Sequence, residues 1–136
     1  MSYAISSALQ AAIFARLVGD AALSALVDGK IFDALPTGVL PPLYVALGPE
    51  KVRSSGDGTG SGAWHEFQVS VVTSVAGFQA AKEAAGSISD ALHLAPLTLS
   101  RGVLVGLWFQ KARANREPGG LRRIDLTFRA RVDDSV

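Results

Sequence analysis

The sequence predicts an α+β fold: an antiparallel β-sheet with two main helices packed on one face, plus a long C-terminal β-hairpin. Three observations carry that expectation. Leu9, Ile13 and Leu17 recur every fourth residue near the N-terminus, with Ala8 and Ala12 beside them, which describes an amphipathic helix. Phe78, Ala81, Ala85, Ile88 and Leu92 repeat at helical spacing between Gly77 and His93, despite Gly86. Near the C-terminus the period drops to two. There Ile124, Leu126, Phe128, Ala130 and Val132 fall on one side of a strand, and Arg123, Asp125, Thr127, Arg129 and Arg131 on the other. One side needs a core and the other a charged partner. Strands gathered in groups between helices favour an antiparallel sheet with its helices on one face.

The elements follow in order. Ser6 or Ser7 is available to cap the first helix. Asp20 caps a second short helical piece over 20–27, which Asp28-Gly29 stops. Lys30 to Asp33 is extended. Leu35 to Pro42 holds three prolines, which remove donors and restrict their neighbours, so it is a connecting loop. Leu43, Val45 and Leu47 alternate with Tyr44 and Ala46 in a strand that ends or bulges at Gly48-Pro49. Arg53, Ser54, Ser55, Gly56, Asp57, Gly58, Thr59, Gly60, Ser61 and Gly62 offer almost nothing to bury. Their glycines enlarge the freedom of the unfolded chain, so this loop is expected to be mobile in an isolated subunit and to order only against a partner. Trp64 and His65 begin a strand that runs through Phe67, Val69, Val71 and Thr73. After the second main helix, Leu97 to Leu99 and Val103 onward flank Ser100-Arg101-Gly102, which reads as a small hairpin. The long hairpin then joins 103–111 to 121–131 through Glu117-Pro118-Gly119-Gly120, with Arg113, Arg116 and Arg122 around its turn.

A chain of 136 residues suits one domain, here residues 1–136. Its 49% hydrophobic and 18% charged residues exclude wholesale disorder. With no cysteine, disulfides, thiolate metal sites and cysteine nucleophiles are impossible. The N-terminus lacks a signal-peptide pattern, and no apolar run approaches the roughly 20 residues that span a bilayer, so no membrane partner is expected. A formal charge of +1 exerts no general pull on nucleic acid; only the clustered arginines keep that option open.

Catalytic and cofactor chemistry finds no purchase, and no cofactor or metal is expected. The glycine run 56–62 lacks the lysine and hydroxyl of a phosphate-binding loop and precedes a strand instead of a helix. His65 and His93 lack the spacing that puts two imidazoles on one metal, and His93 is placed to complement helix-terminal carbonyls. Ser70, Ser74, Ser87 and Ser100 sit in no nucleophile elbow, and Glu66 with Asp90 is an arbitrary pair of acids. Trp108 and Phe109 point to opposite faces, so one joins the core while the other meets a neighbouring subunit or this domain's own second layer. The arginine face is either merely solvated or a contact surface.

The whole pattern, from Leu9-Gln10-Ala11-Ala12-Ile13-Phe14-Ala15-Arg16-Leu17 to Leu126-Thr127-Phe128-Arg129-Ala130-Arg131-Val132, resembles the small tail terminator or tail-completion proteins of long-tailed bacteriophages and gene transfer agents. Between those ends the markers are Asp20-Ala21-Ala22-Leu23, Gly29-Lys30-Ile31-Phe32-Asp33-Ala34-Leu35-Pro36, Pro42-Leu43-Tyr44-Val45-Ala46-Leu47-Gly48 and Arg116-Glu117-Pro118-Gly119-Gly120-Leu121. The resemblance implies a structural virion assembly protein, not an enzyme, made in the bacterial cytoplasm and placed in the tail or neck of the particle. It implies a homo-oligomeric ring, hexameric, that caps the head-proximal end of the tail tube. The ring would join the tube protein to the head connector or stopper while DNA passes through its lumen. The glycine-rich loop 53–62 would be a contact arm. With Arg113, Arg116, Arg123, Arg129 and Arg131 it makes up the expected interface, in which arginine–carboxylate contacts are preferred over phosphate binding. The competing readings are a head-completion or stopper protein of the neck and a small nucleic-acid-binding module that uses the arginine strand.

Overall fold

The computed structural model describes residues 2–55 and 62–134. A 3-10 turn, Ser2–Ile5, runs straight into α1 (Ser6–Val18), so neither serine caps that helix; Ile5 stands at the cap position. The preceding turn is already helical in its backbone, which leaves no opening for a side-chain cap. Instead Ser6 Oγ donates to Glu50 Oε1 at 2.5 Å. The short piece expected after Asp20 is a full helix, α2 (Ala21–Val27). Asp20 Oδ1 accepts the Leu23 N–H at 2.9 Å, and Asp28 ends the helix in the left-handed conformation at φ 54°.

Two-residue β1 (Ile31–Phe32) pairs with β2 (Leu43–Ser54) in parallel, the one departure from an antiparallel sheet. The proline-rich connection carries the chain back to the end at which β1 began, and a strand that restarts there must run the same way. β2 continues past Gly48-Pro49 through an irregularity between Leu47 and Glu50 and reaches Ser54, so the residues there are a bulge within one strand. β3 (Gly62–Thr73), β4 (Val103–Arg116) and β5 (Arg122–Asp133) complete a five-stranded sheet in the order β1-β2-β3-β5-β4. Gly119 and Gly120 turn the β4–β5 hairpin at φ 81° and 79°, angles that side chains rarely tolerate.

α3 (Gln79–Leu92) joins α1 and α2 on one face of the sheet. The core lies between the layers: Leu9, Ile13 and Leu17 of α1, Leu23 of α2 and Ile88 of α3 meet Val69, Val71, Leu126, Phe128 and Val132. Phe128, fully buried, stacks on Phe67 and takes Phe109 edge-on. All five inward residues read from the β5 alternation are buried.

The small hairpin expected over 97–103 does not form. Leu97 and Leu99 pack against the core as an irregular segment. That segment leaves α3 along the free edge of β4, where the Leu94 N–H donates to Leu107 O at 2.7 Å and His93 Nδ1 accepts the Phe109 N–H at 3.0 Å. His93 is therefore an acceptor that covers a strand edge, not a donor to helix carbonyls. No single helix among the described residues is long and apolar enough to cross a bilayer.

Candidate docking interface

With all three helices on one side, the other face of the sheet stays uncovered by the described residues, and strand alternation decides what it shows. Register across the four long strands sets two rows side by side. One runs Arg53, Trp64, Arg131, Gly106; the next runs Lys51, Glu66, Arg129, Trp108. The Arg129 guanidinium lies 3.8 Å from the centre of the Trp64 ring and that of Arg131 lies 5.3 Å away, while Trp108 tilts against Trp64 at 6.0 Å. Two glycines make this packing possible. A Cβ on Gly62 would sit 2.6 Å from Nη2 of Arg131, and one on Gly106 would collide with the Trp108 ring. Arg131 Nε is buried here with no hydrogen-bond acceptor among the described residues.

At the opposite end of the same face Arg123 is neutralised within the chain. Arg123 Nε donates to Asp125 Oδ1 at 2.8 Å and its Nη2 to Ser70 Oγ at 3.1 Å, while Ser70 Oγ donates to the same carboxylate at 2.6 Å. Arg113 Nε donates to Asn115 Oδ1 at 3.3 Å. Arg116 faces Arg122 at the hairpin mouth, and Arg122 lies over the Phe78 ring at 5.7 Å.

The face as a whole is basic. Lys51 and Arg53 on β2, Lys111 and Arg113 on β4, and Arg123, Arg129 and Arg131 on β5 are seven of the chain's thirteen cations. Glu66, Asp125 and Asp133 are three of its twelve acids. The face thus carries +4 and the rest of the chain −3, a separation that the overall +1 conceals.

The structure gathers Arg53, Arg129 and Arg131 around Trp64, keeps Arg123 and Arg113 apart in their own bonds, and leaves Arg116 at the turn. Of the glycine loop, Ser54 ends β2, Gly62 begins β3, and the Ser55 N–H donates to Gly62 O at 3.1 Å; Gly56, Asp57, Gly58, Thr59, Gly60 and Ser61 lie outside the described residues. Trp108 belongs to the open face and Phe109 to the core, as opposite strand faces require. Glu66 and Asp90 stand on opposite sides of the sheet, so they form no acid pair.

Sequence reasoning missed a buried polar cluster. His65 is fully buried on the inner face, with Nδ1 3.6 Å from Glu50 Oε2, and Glu50 accepts from Ser6. The three residues come from distant segments, and only the bulge in β2 brings Glu50 inward.

A family model for the tail completion protein gp17 matches residues 11–133. The chain belongs to that family. It is therefore a structural tail-assembly protein. Among solved structures, a chain of the virion of a native gene transfer agent particle is 55% identical and superimposes with a TM-score of 0.92, over 97% of this chain and 99% of that one. No curated protein sequence matches significantly. As part of a particle assembly, such a protein binds other structural components.

Proposed function

We infer that this tail completion protein is a tail terminator: six copies close into a ring that caps the head-proximal end of the finished tail tube and joins it to the head connector. It works as one domain and makes or breaks no substrate bond. Its place is the tail of a phage or gene transfer agent particle, and DNA crosses its lumen without sequence-specific binding. The observation that carries this reading is the end-to-end likeness, at 55% identity, to a chain of a gene transfer agent virion.

The strand edges support it. β1 covers only Val45 and Ala46 of β2, so among the described residues no strand pairs with the outer edge of β2 from Glu50 to Arg53. On the far side, the outer edge of β4 bonds Leu94 and His93 through Leu107 and Phe109, and beyond Phe109 no described strand pairs with it. Two open edges of unlike sequence suit heterologous contacts, in which one patch meets a different patch on the next subunit, and such contacts close into rings. The expected contact residues are the 53–62 arm and Arg113, Arg116, Arg123, Arg129 and Arg131.

Charge reversal tests this. The double variant R129E/R131E changes only half-exposed residues of the open face and none of the core, so the isolated protein should stay folded, its melting temperature lowered only by the loss of the Trp64 contacts. Negative-stain images should show rings and capped tubes for the wild type, with particle yield down by about tenfold or more for the variant. Wild-type images without rings would remove the ring reading, and an unchanged yield would move the interface off this face.

A further inference from the structure

We propose that the cleft around Trp64 is a receptor for the carboxylate side chains of an acidic segment in another protein of the particle. The cleft, about 610 Å³, is lined by Lys51, Arg53, Trp64, Glu66, Gln110 and Arg129. Among the described residues none of its cations is ion-paired, and Arg129 rests on an indole instead of a carboxylate. Stacking occupies the flat face of a guanidinium and leaves its N–H edge free, the edge that takes a carboxylate in two parallel bonds. Trp64 therefore acts as a platform. It fixes a long side chain in advance and lowers the entropy that binding must otherwise spend on ordering it.

The room for this arrangement comes from Gly62 and Gly106, where a Cβ would run into Arg131 and Trp108. The first residue of β3 and an interior position of β4 give up side chains, and both glycines serve the same cluster. Nothing in the core depends on either, because both residues lie on the open face.

Charge complementarity selects the occupant. A duplex needs a track of cations to meet closely spaced phosphates. Here four of the face's seven cations, Lys51, Arg53, Arg129 and Arg131, cluster about Trp64 instead of forming a track, and Arg123 toward the other end is satisfied by Asp125 and Ser70. Glu66 stands inside the cleft and opposes a dense polyanion more than it opposes one or two carboxylates. A single strand is disfavoured as well, since Arg129 already covers a face of Trp64 on which a base would stack.

This inference deepens the docking role above, but its test needs only isolated protein, whereas the ring is judged from images, so each can fail alone. Trp64 and Trp108 are the only two tryptophans in the chain, so intrinsic fluorescence reports the cleft directly. Titration with hexaglutamate should shift the emission to saturation, and added salt should weaken the effect. Arg129→Lys keeps the charge but loses the planar fork, and Arg53→Gln removes an exposed charge; each should weaken binding by about tenfold or more. Arg113→Gln should leave it unchanged, and thermal melts confirm that each variant is folded. The proposal is overturned if hexaglutamate gives no saturable change, or if the change survives Arg129→Lys and Arg53→Gln undiminished. A duplex oligonucleotide that elicits the same shift more tightly than hexaglutamate overturns it too.

Discussion

Arg101 and Asp134 show what a single pair does at the end of the sheet. Nε and Nη2 of Arg101 donate to the two oxygens of Asp134 at 3.0 and 2.9 Å, which ties the start of β4 to the end of β5. Hydrogen bonding from the guanidinium holds the Asp134 carboxyl below its ordinary value. A carboxyl whose folded value is depressed stabilises the fold above its unfolded value and loses that contribution as pH falls through the folded one. Arg101→Gln should therefore lower the melting temperature slightly at pH 6, and the difference from wild type should fade below about pH 4. A difference that persisted at pH 2.5 would mean that the tether is not ionic. Neither partner stands out in the sequence. Arg101 sits in an unremarkable Ser-Arg-Gly turn, and the residues are joined only by hairpin register. His65 is a second case: a histidine beginning an alternating strand gives no sign that a bulge in another strand will place Glu50 beside it.

Elements were legible where one periodicity held without interruption. α1, α3 and β5 each bury the side that their spacing marks, because burying an apolar stripe dominates local preference. A local rule misleads where it meets a stronger tertiary demand. Gly48-Pro49 ends a strand in most settings, yet β2 absorbs it as a bulge because β3 keeps pairing on the other side. Leu97 and Leu99 alternate like a strand but find core contacts without a ladder. A cap is legible in sequence where the side chain acts alone. α2 has seven residues, too few to hold itself, and Asp20 satisfies one of its exposed N–H groups. Asp20→Ala should cost about 1 kcal/mol, seen as a lower urea midpoint with an unchanged slope. Asp20→Asn or Asp20→Ser should recover most of that loss, which separates capping from any long-range effect of the charge.

At the scale of the whole molecule, the arginine-rich face could be read from β5 alone, but not the cluster it contains. Trp64 and Trp108 come together only because β5 lies between β3 and β4, and a single sequence does not fix the order β3-β5-β4. The pairing of β2 with β3 stops at the same end of that face. Its last described rung is the Ser55 N–H bonded to Gly62 O, directly beside Arg131, which lies over Gly62. A contact arm must gain protection on assembly, and the composition of 56–61, with Gly56, Gly58 and Gly60 alternating with short polar residues, supplies no core that would protect it beforehand. Hydrogen exchange therefore distinguishes an arm from a passive turn. Amides of 56–61 should exchange at nearly unprotected rates in the free subunit and at least roughly tenfold more slowly in assembled tails, while those of β3 and β5 stay slow in both. Equal rates for 56–61 in the two states would leave the Trp64 cleft and the strand edges as the contact surfaces and remove the arm from the interface.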